Sequence, residues 1–151
     1  MDVTSSRIAT ALKTAIRREE RTAQAYQNQS KATKDPAARK VLESLVRQEM
    51  AHAKKLKLIL EKGIDSSLLG KRGRDLVPEL RIVNDDVRKL EGKGEAVTVL
   101  RRALKAEENS ARFYRSLEKI YKGVDVAVLF GKLAEEEEIH KARLERVLAK
   151  M

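Results

Sequence analysis

Apolar residues recur every three or four positions along four stretches of the chain, which is the spacing of one face of an α-helix. Each stripe also carries a glutamate near its middle. The stripes are Leu12, Ile16, Glu19, Ala23, Tyr26 and Ser30; Leu42, Leu45, Glu49, His52, Leu56 and Ile59; Leu100, Leu104, Glu107, Ala111 and Tyr114; and Phe130, Leu133, Glu137, His140, Leu144 and Val147. The pattern predicts an all-α protein in which four helices share one core.

The ends of the predicted helices follow from capping residues and glycines. Asp35 is a good N-cap before Pro36, which suits the first helical position, and Gly63 is a suitable terminator. Gly123 separates the last two helices. We expect the helices to span about residues 4–31, 36–62, 95–122 and 124–150.

Residues 63–94 lack the helical period, because five glycines and Pro78 interrupt it. We interpret this segment as a crossover between two helical hairpins, with a short helix predicted over Glu79–Leu90. The whole chain, residues 1–151, is then expected to form a single four-helix domain.

The two hairpins repeat the same polar residues at one fixed offset. The first set is Glu19, Tyr26, Glu49 and His52, and the second is Glu107, Tyr114, Glu137 and His140. Each member of the second set lies 88 positions after its counterpart, and the two histidines are the only ones in the chain. Apolar positions repeat at the same offset, which predicts an internal duplication over about residues 5–62 and 95–150.

The repeated polar residues are a candidate metal site, because a carboxylate in an apolar seam is unfavourable unless it is paired or bound to metal. One Glu from each helix, with a His three residues later on two of them, is the ligand set of a two-metal carboxylate bundle. Oxygen and imidazole ligands suit Fe(II), with Mn(II) as the alternative. The other acids are expected outside the seam: Glu20 and Glu108 at the flank, and Glu135, Glu136 and Glu138 on a solvated face.

Composition narrows the function further. The chain has no cysteine, which excludes disulfide scaffolds, zinc ribbons and catalytic thiols within it. The start lacks a signal-peptide pattern and no apolar stretch is long enough to span a membrane, so we expect a cytoplasmic protein. The net charge of +10 is attributed to solubility, since aromatic residues make up only 3% and no nucleic-acid-binding motif occurs.

At the repeated E-x6-Y and E-x-x-H residues the chain resembles the rubrerythrin branch of the ferritin-like superfamily. The resemblance implies a ferritin-like four-helix bundle holding two iron ions. It implies that Glu19 and Glu107 are terminal ligands, that Glu49 and Glu137 bridge the metals, and that His52 and His140 each bind one. Tyr26 and Tyr114 would be hydrogen-bond partners that orient ligands, and they are the candidate catalytic side chains.

Two features depart from the family pattern. Full-length rubrerythrins carry a four-cysteine rubredoxin-like domain that supplies electrons; this chain has no cysteine, so the resemblance implies an external electron-donor protein. Rubrerythrins also carry an additional Glu where this chain has Ser110, which makes the predicted site closer to a bacterioferritin-type centre.

The expected function is that of a di-iron oxidoreductase that reacts with hydrogen peroxide or dioxygen, with a homodimer as the expected assembly. Two alternatives stay open: a non-catalytic iron-binding or storage protein, and a metal-free helical interaction bundle.

Overall fold

A computed structural model describes residues 3–64 and 94–150, which form four long helices. They are α1 (Val3–Ala32), α2 (Pro36–Lys62), α3 (Gly94–Ile120) and α4 (Asp125–Ala149). The predicted helix over Glu79–Leu90 and nearly all of the predicted crossover lie outside the described residues. The observed bounds agree with the predicted ones to within one or two residues at most ends.

The capping residues act as the sequence predicts. The Asp35 carboxylate accepts hydrogen bonds from the backbone N–H groups of Ala37, at 2.9 Å, and Ala38, at 3.1 Å. These bonds satisfy two of the donors that a helix leaves unpaired at its start. Gly63 ends α2 at a φ of 85°, and Gly123 takes a φ of 90° just before α4, so glycine is needed at both turns.

Consecutive helices pack against each other, α1 with α2 and α3 with α4, as two hairpins. The hairpins are joined by two apolar clusters to which all four helices contribute. The predicted fold class, an all-α four-helix bundle made of two hairpins, is therefore confirmed.

The 88-residue repeat relates the two apolar clusters to each other, because a residue in one cluster has its repeat counterpart in the other. The first, here called the Tyr26 cluster, includes Tyr26, Val41, Leu42, Leu45, Leu100, Leu144 and Val147. The second, the Tyr114 cluster, includes Tyr114, Leu129, Phe130, Leu133, Leu12, Leu56 and Ile59. Each of these residues has its counterpart in the other cluster, so the packing repeats together with the polar pattern.

The predicted ligands lie between the two clusters. Along α2, Glu49 and His52 fall between Leu45, which belongs to the Tyr26 cluster, and Leu56, which belongs to the Tyr114 cluster. Along α4, the same interval separates Leu133 from Leu144. The polar site is thus a layer at mid-length with apolar packing on both sides.

The outer faces of the helices are charged. Glu20 pairs with Lys57 at 3.1 Å and Glu108 pairs with Arg112 at 2.6 Å, which confirms the flank position predicted for these two glutamates. In the part of the chain that the structure describes, no helix has both the length and the apolar character required to cross a bilayer.

Candidate metal centre

All six predicted ligands are buried. Each has at most 2% of its surface exposed: Glu19, Glu49, His52, Glu107, Glu137 and His140. The helix period explains why, because each lies on the same stripe as the leucines and isoleucines of its helix. Four carboxylates and two imidazoles therefore share the layer between the two apolar clusters.

Four of the six converge most closely. Glu19, Glu49, His52 and Glu137 each offer one ligand atom, and these atoms all lie within 4.8 Å of one another. They come from α1, α2 and α4, so the group depends on the tertiary fold. Glu107 and His140 are buried in the same layer but are not members of this compact group. The assignment of all six residues as ligands stays a prediction.

Each tyrosine contacts the glutamate of the other hairpin. The Tyr114 hydroxyl donates a hydrogen bond to Oε1 of Glu19, and the Tyr26 hydroxyl lies 3.2 Å from Oε1 of Glu107. Burial and nearby carboxylate charge raise the pKa of both phenols well above the usual value, so both stay protonated and donate. The tyrosines therefore hold the carboxylates in place, as the resemblance implied; a catalytic role stays a prediction.

Most of the polar atoms in this layer lack a hydrogen-bond partner. They are Oε2 of Glu19, both carboxylate oxygens of Glu49 and Glu137, both ring nitrogens of His52, Oε2 of Glu107 and Nε2 of His140. Buried polar groups of native proteins are normally paired, so such a concentration requires an explanation. Divalent cations would use these oxygens and nitrogens and would balance the negative charge, so the donor set fits a metal centre.

The carboxylates perturb one another strongly. Burial raises the pKa of Glu137 to about 7, even though the interaction with His52 opposes the shift. Burial and the charges of Glu137 and Glu19 raise the pKa of Glu49 well above its usual value. Burial also acts to raise the pKa of Glu19, but the neighbouring Glu49 carboxyl and His52 lower it by more. In the metal-free chain, protons therefore stand in for part of the missing positive charge.

The two histidines titrate in opposite directions although both are buried. Burial acts to lower the pKa of His52, but the charge of Glu19 and contacts with Glu136 and Glu137 raise it well above the usual value. Burial, the charge of His52 and that of Arg143 lower the pKa of His140 to about 3. His140 is therefore neutral, which is the state that binds a metal.

The burial of Glu136 shows that one expectation from the sequence was wrong. Glu136 was predicted on a solvated face, but only 3% of its surface is exposed, and its Oε2 lies 3.6 Å from Nε2 of His52. The buried face of α4 is wide enough to take in both Glu136 and Glu137, while Glu135 and Glu138 are exposed as predicted.

Sequence reasoning also missed Gln48, which is fully buried with its Nε2 2.6 Å from Nδ1 of His140. The repeat could have revealed both residues. Gln48 and Glu136 are 88 positions apart, and each lies four residues, about one helical turn, before a histidine.

Comparison with known proteins supports the resemblance over the second hairpin. Residues 98–151 match the family model described as Rubrerythrin. This range contains Glu107, Tyr114, Glu137 and His140, which are half of the repeated polar set. No curated protein and no solved structure gave a significant match. The rubrerythrin-like character predicted from the motifs is thus confirmed where the second half of the repeat lies.

Proposed function

We propose that the protein is a di-iron oxidoreductase whose substrate is hydrogen peroxide or dioxygen. The observation that carries the proposal is the convergence of Glu19, Glu49, His52 and Glu137, whose ligand atoms lie within 4.8 Å of one another. The match of residues 98–151 to Rubrerythrin supports iron as the metal.

The donor set favours a pair of ions over a single one. In the compact group, Glu19 and His52 come from the first hairpin. Their repeat equivalents in the second hairpin, Glu107 and His140, would serve a second ion. Glu49 and Glu137 would serve both positions, as the resemblance implies. Four carboxylates would also balance the charge of two divalent cations. Burying the cations and the carboxylates together therefore costs less free energy than burying either of them alone.

The chemistry would come from the metals, and the chain would supply binding and shape. When bound, two ferrous ions would supply the two electrons that convert one hydrogen peroxide and two protons into two water molecules. Tyr114 and Tyr26 hold Glu19 and Glu107 by hydrogen bonds. The two apolar clusters cover the layer on both sides and limit access of water.

A cleft between α1 and α3 adjoins the layer, and we propose that a small oxidant enters through it. It has a volume of about 380 Å³, and its walls include Arg18, Arg21, Tyr26, Gln29, Asn109 and Ser110. The Tyr26 hydroxyl contacts Glu107, so the cleft adjoins one of the predicted ligands. Ser110 is buried in this wall, where its small side chain occupies less of the cleft than a glutamate would.

The proposal extends to the partners of the reaction. Hydrogen peroxide ranks above dioxygen on the resemblance to rubrerythrins, and an external protein would return the electrons. We propose a homodimer in the cytoplasm as the working form. A storage protein would instead form a large closed shell, which a native mass measurement would distinguish from a dimer.

The test is an anaerobic titration of the purified apo-protein with Fe(II), followed by exposure of equal samples to peroxide and to air. We expect two ions per chain and faster oxidation by peroxide, followed by the optical absorption of ferric iron. Fewer than one tightly bound ion per chain would overturn the proposal.

A matched pair of variants on α2 makes the titration specific. Glu49→Ala removes a buried candidate ligand, whereas Glu43→Ala removes an exposed glutamate from the same helix. We expect loss of iron binding only in Glu49→Ala. Equal iron content in the two variants would contradict the assignment of this layer as the metal site.

A further inference from the structure

Two repeat-related side chains, Gln48 and Glu136, contact the histidines across the bundle. Gln48 on α2 lies against His140 of α4, with 2.6 Å between Nε2 and Nδ1. Glu136 on α4 lies against His52 of α2, with 3.6 Å between Oε2 and Nε2. Both side chains are buried, and the 88-residue offset relates one pair to the other. Each histidine therefore has a buried partner at the repeat-related position, an amide at Nδ1 of His140 and a carboxylate at Nε2 of His52.

The orientation of His52 suits metal binding through Nδ1. This nitrogen lies 3.5 Å from Oε1 of Glu19 and 3.3 Å from Oε1 of Glu137, so it faces the predicted ligands. The opposite nitrogen, Nε2, faces Glu136. A carboxylate can only accept, so Glu136 favours the tautomer of His52 that carries its proton on Nε2 and leaves Nδ1 free to bind.

Gln48 imposes no such choice on His140. An amide carries both a donor and an acceptor, and it satisfies either tautomer of the ring by turning over. The amide is also uncharged, whereas the negative charge of a carboxylate partner makes an imidazole a stronger metal ligand. In the structure, Nδ1 of His140 faces Gln48, and Glu107 and His140 stand outside the compact ligand group.

We propose that Glu136 and Gln48 are positioning residues that make the two metal positions inequivalent. The position served by Glu19 and His52 binds its ion first and more tightly, and the position served by Glu107 and His140 fills second. This inference rests on the proposed function, since it presupposes that the layer binds two ions.

The test is an anaerobic titration of the apo-protein with Co(II), whose visible absorption reports its coordination, repeated with Fe(II) by calorimetry. Wild type is expected to bind two ions in two resolved steps. Glu136→Gln gives both histidines an amide partner, so the first step should weaken by roughly 10- to 100-fold and approach the second. Gln48→Glu gives both a carboxylate partner and should strengthen the second step.

Glu135→Gln is the matched control, because Glu135 is the exposed neighbour of Glu136 on the same helix. It should leave both steps unchanged. Two equal steps in wild type, or equal weakening of both steps in Glu136→Gln, would overturn the inequivalence and leave the proposed function standing. Absence of Co(II) and Fe(II) binding in wild type would overturn both.

Discussion

The α1–α2 hairpin and the α3–α4 hairpin carry the same candidate ligand types at the same intervals, yet the contacts of their histidines differ. His52 lies against a carboxylate, Glu136, whereas His140 lies against an amide, Gln48. The apolar residues around the two histidines have apolar counterparts in the repeat, so the two apolar clusters show no such difference in charge. The repeat keeps apolar packing and candidate ligands in both halves, whereas the side chains that contact the two histidines differ in charge.

The two histidines show that burial alone does not set a pKa. Burial acts to lower the pKa of both rings, but that of His52 ends well above its usual value and that of His140 at about 3. The difference comes from neighbouring charge: Glu19, Glu136 and Glu137 surround His52, while His52 and Arg143 act on His140. Equivalent positions in a repeat therefore differ in chemistry when their contacts differ in charge.

Removing a carboxylate that both predicted metal positions would share should have the largest effect. Glu137→Ala is expected to abolish binding of the metal pair, because Glu137 belongs to the compact ligand group and would serve both positions. Iron per chain after anaerobic loading is the measurement. The apo-variant should still fold, since the substitution also removes a buried carboxylate that burial disfavours.

The control for Glu137→Ala is its neighbour. The Glu138 side chain is 47% exposed and pairs with Arg115 on the surface, a contact of small net stability. Glu138→Ala should keep iron content near that of wild type. Equal loss in both variants would show that the wrong face of α4 has been assigned to the site.

The apolar clusters test whether the halves are equivalent in packing. Leu45 and Leu133 are counterparts in the repeat, lie in different clusters and are at most 1% exposed. Leu45→Ala and Leu133→Ala should each lower the free energy of unfolding by about 2–5 kcal/mol. Denaturant unfolding of the apo-protein measures both, and a loss confined to one variant would show that the two clusters are not equivalent.

Helix bounds and inward faces could be predicted because local chemistry determines them. Asp35, Pro36 and Gly63 fix the ends of α2 through capping and backbone preference, independently of the rest of the fold. The burial of Glu49 and His52 follows from their place in a leucine stripe. These predictions needed only the period of one helix.

The contacts of Glu136 and Gln48 could not be obtained in the same way. A stripe drawn through Leu133 and His140 selects Glu137 and leaves Glu136 one position off, but α4 packs on a face wide enough to bury both. Which side chain meets which histidine depends on how the hairpins pack together. Single-helix periodicity does not contain that information.

Metal and pH should act together on thermal stability. Iron or manganese is expected to raise the melting temperature, by roughly 5–10 °C at about 100 times the dissociation constant, because it binds the folded chain. The increase should be larger at about pH 8 than at about pH 5.5, since protons compete for the ligands at the lower pH. Melting curves of apo- and metal-loaded protein at both pH values are the measurement.

The sign follows from the pKa shifts of the apo-protein. The raised pKa of Glu137, about 7 against an ordinary 4.5, gives stability that is fully present below 4.5 and lost as the pH rises through 7. Glu49 and His52, also raised, act in the same direction. His140 and Glu19 oppose them, because a lowered pKa gives stability that is lost as the pH falls, below about 6.5 in the case of His140. An unchanged midpoint on metal addition at the higher pH would favour a metal-free bundle.

The smallest effects should come from the tyrosines, and they compare the two halves most directly. Tyr114 donates to Glu19, in the half that we expect to bind first, and Tyr26 donates to Glu107 in the other half. Tyr114→Phe removes one hydrogen bond to a carboxylate, so it should weaken the first metal step by roughly tenfold or less, about 1 kcal/mol. Tyr26→Phe should act on the second step and by a smaller factor, because its hydroxyl lies 3.2 Å from Glu107 and is also 3.4 Å from the carbonyl of Ala103.

Tyr121→Phe provides the reference for the two tyrosine variants. The Tyr121 hydroxyl donates to the backbone carbonyl of Arg7, away from the predicted ligands, so its loss should change neither metal step. The comparison depends on which of the two metal-binding steps becomes weaker, because a general loosening of the bundle would weaken both steps together. If Tyr114→Phe weakened the second step and Tyr26→Phe the first, the order of filling assigned to the two halves would have to be reversed.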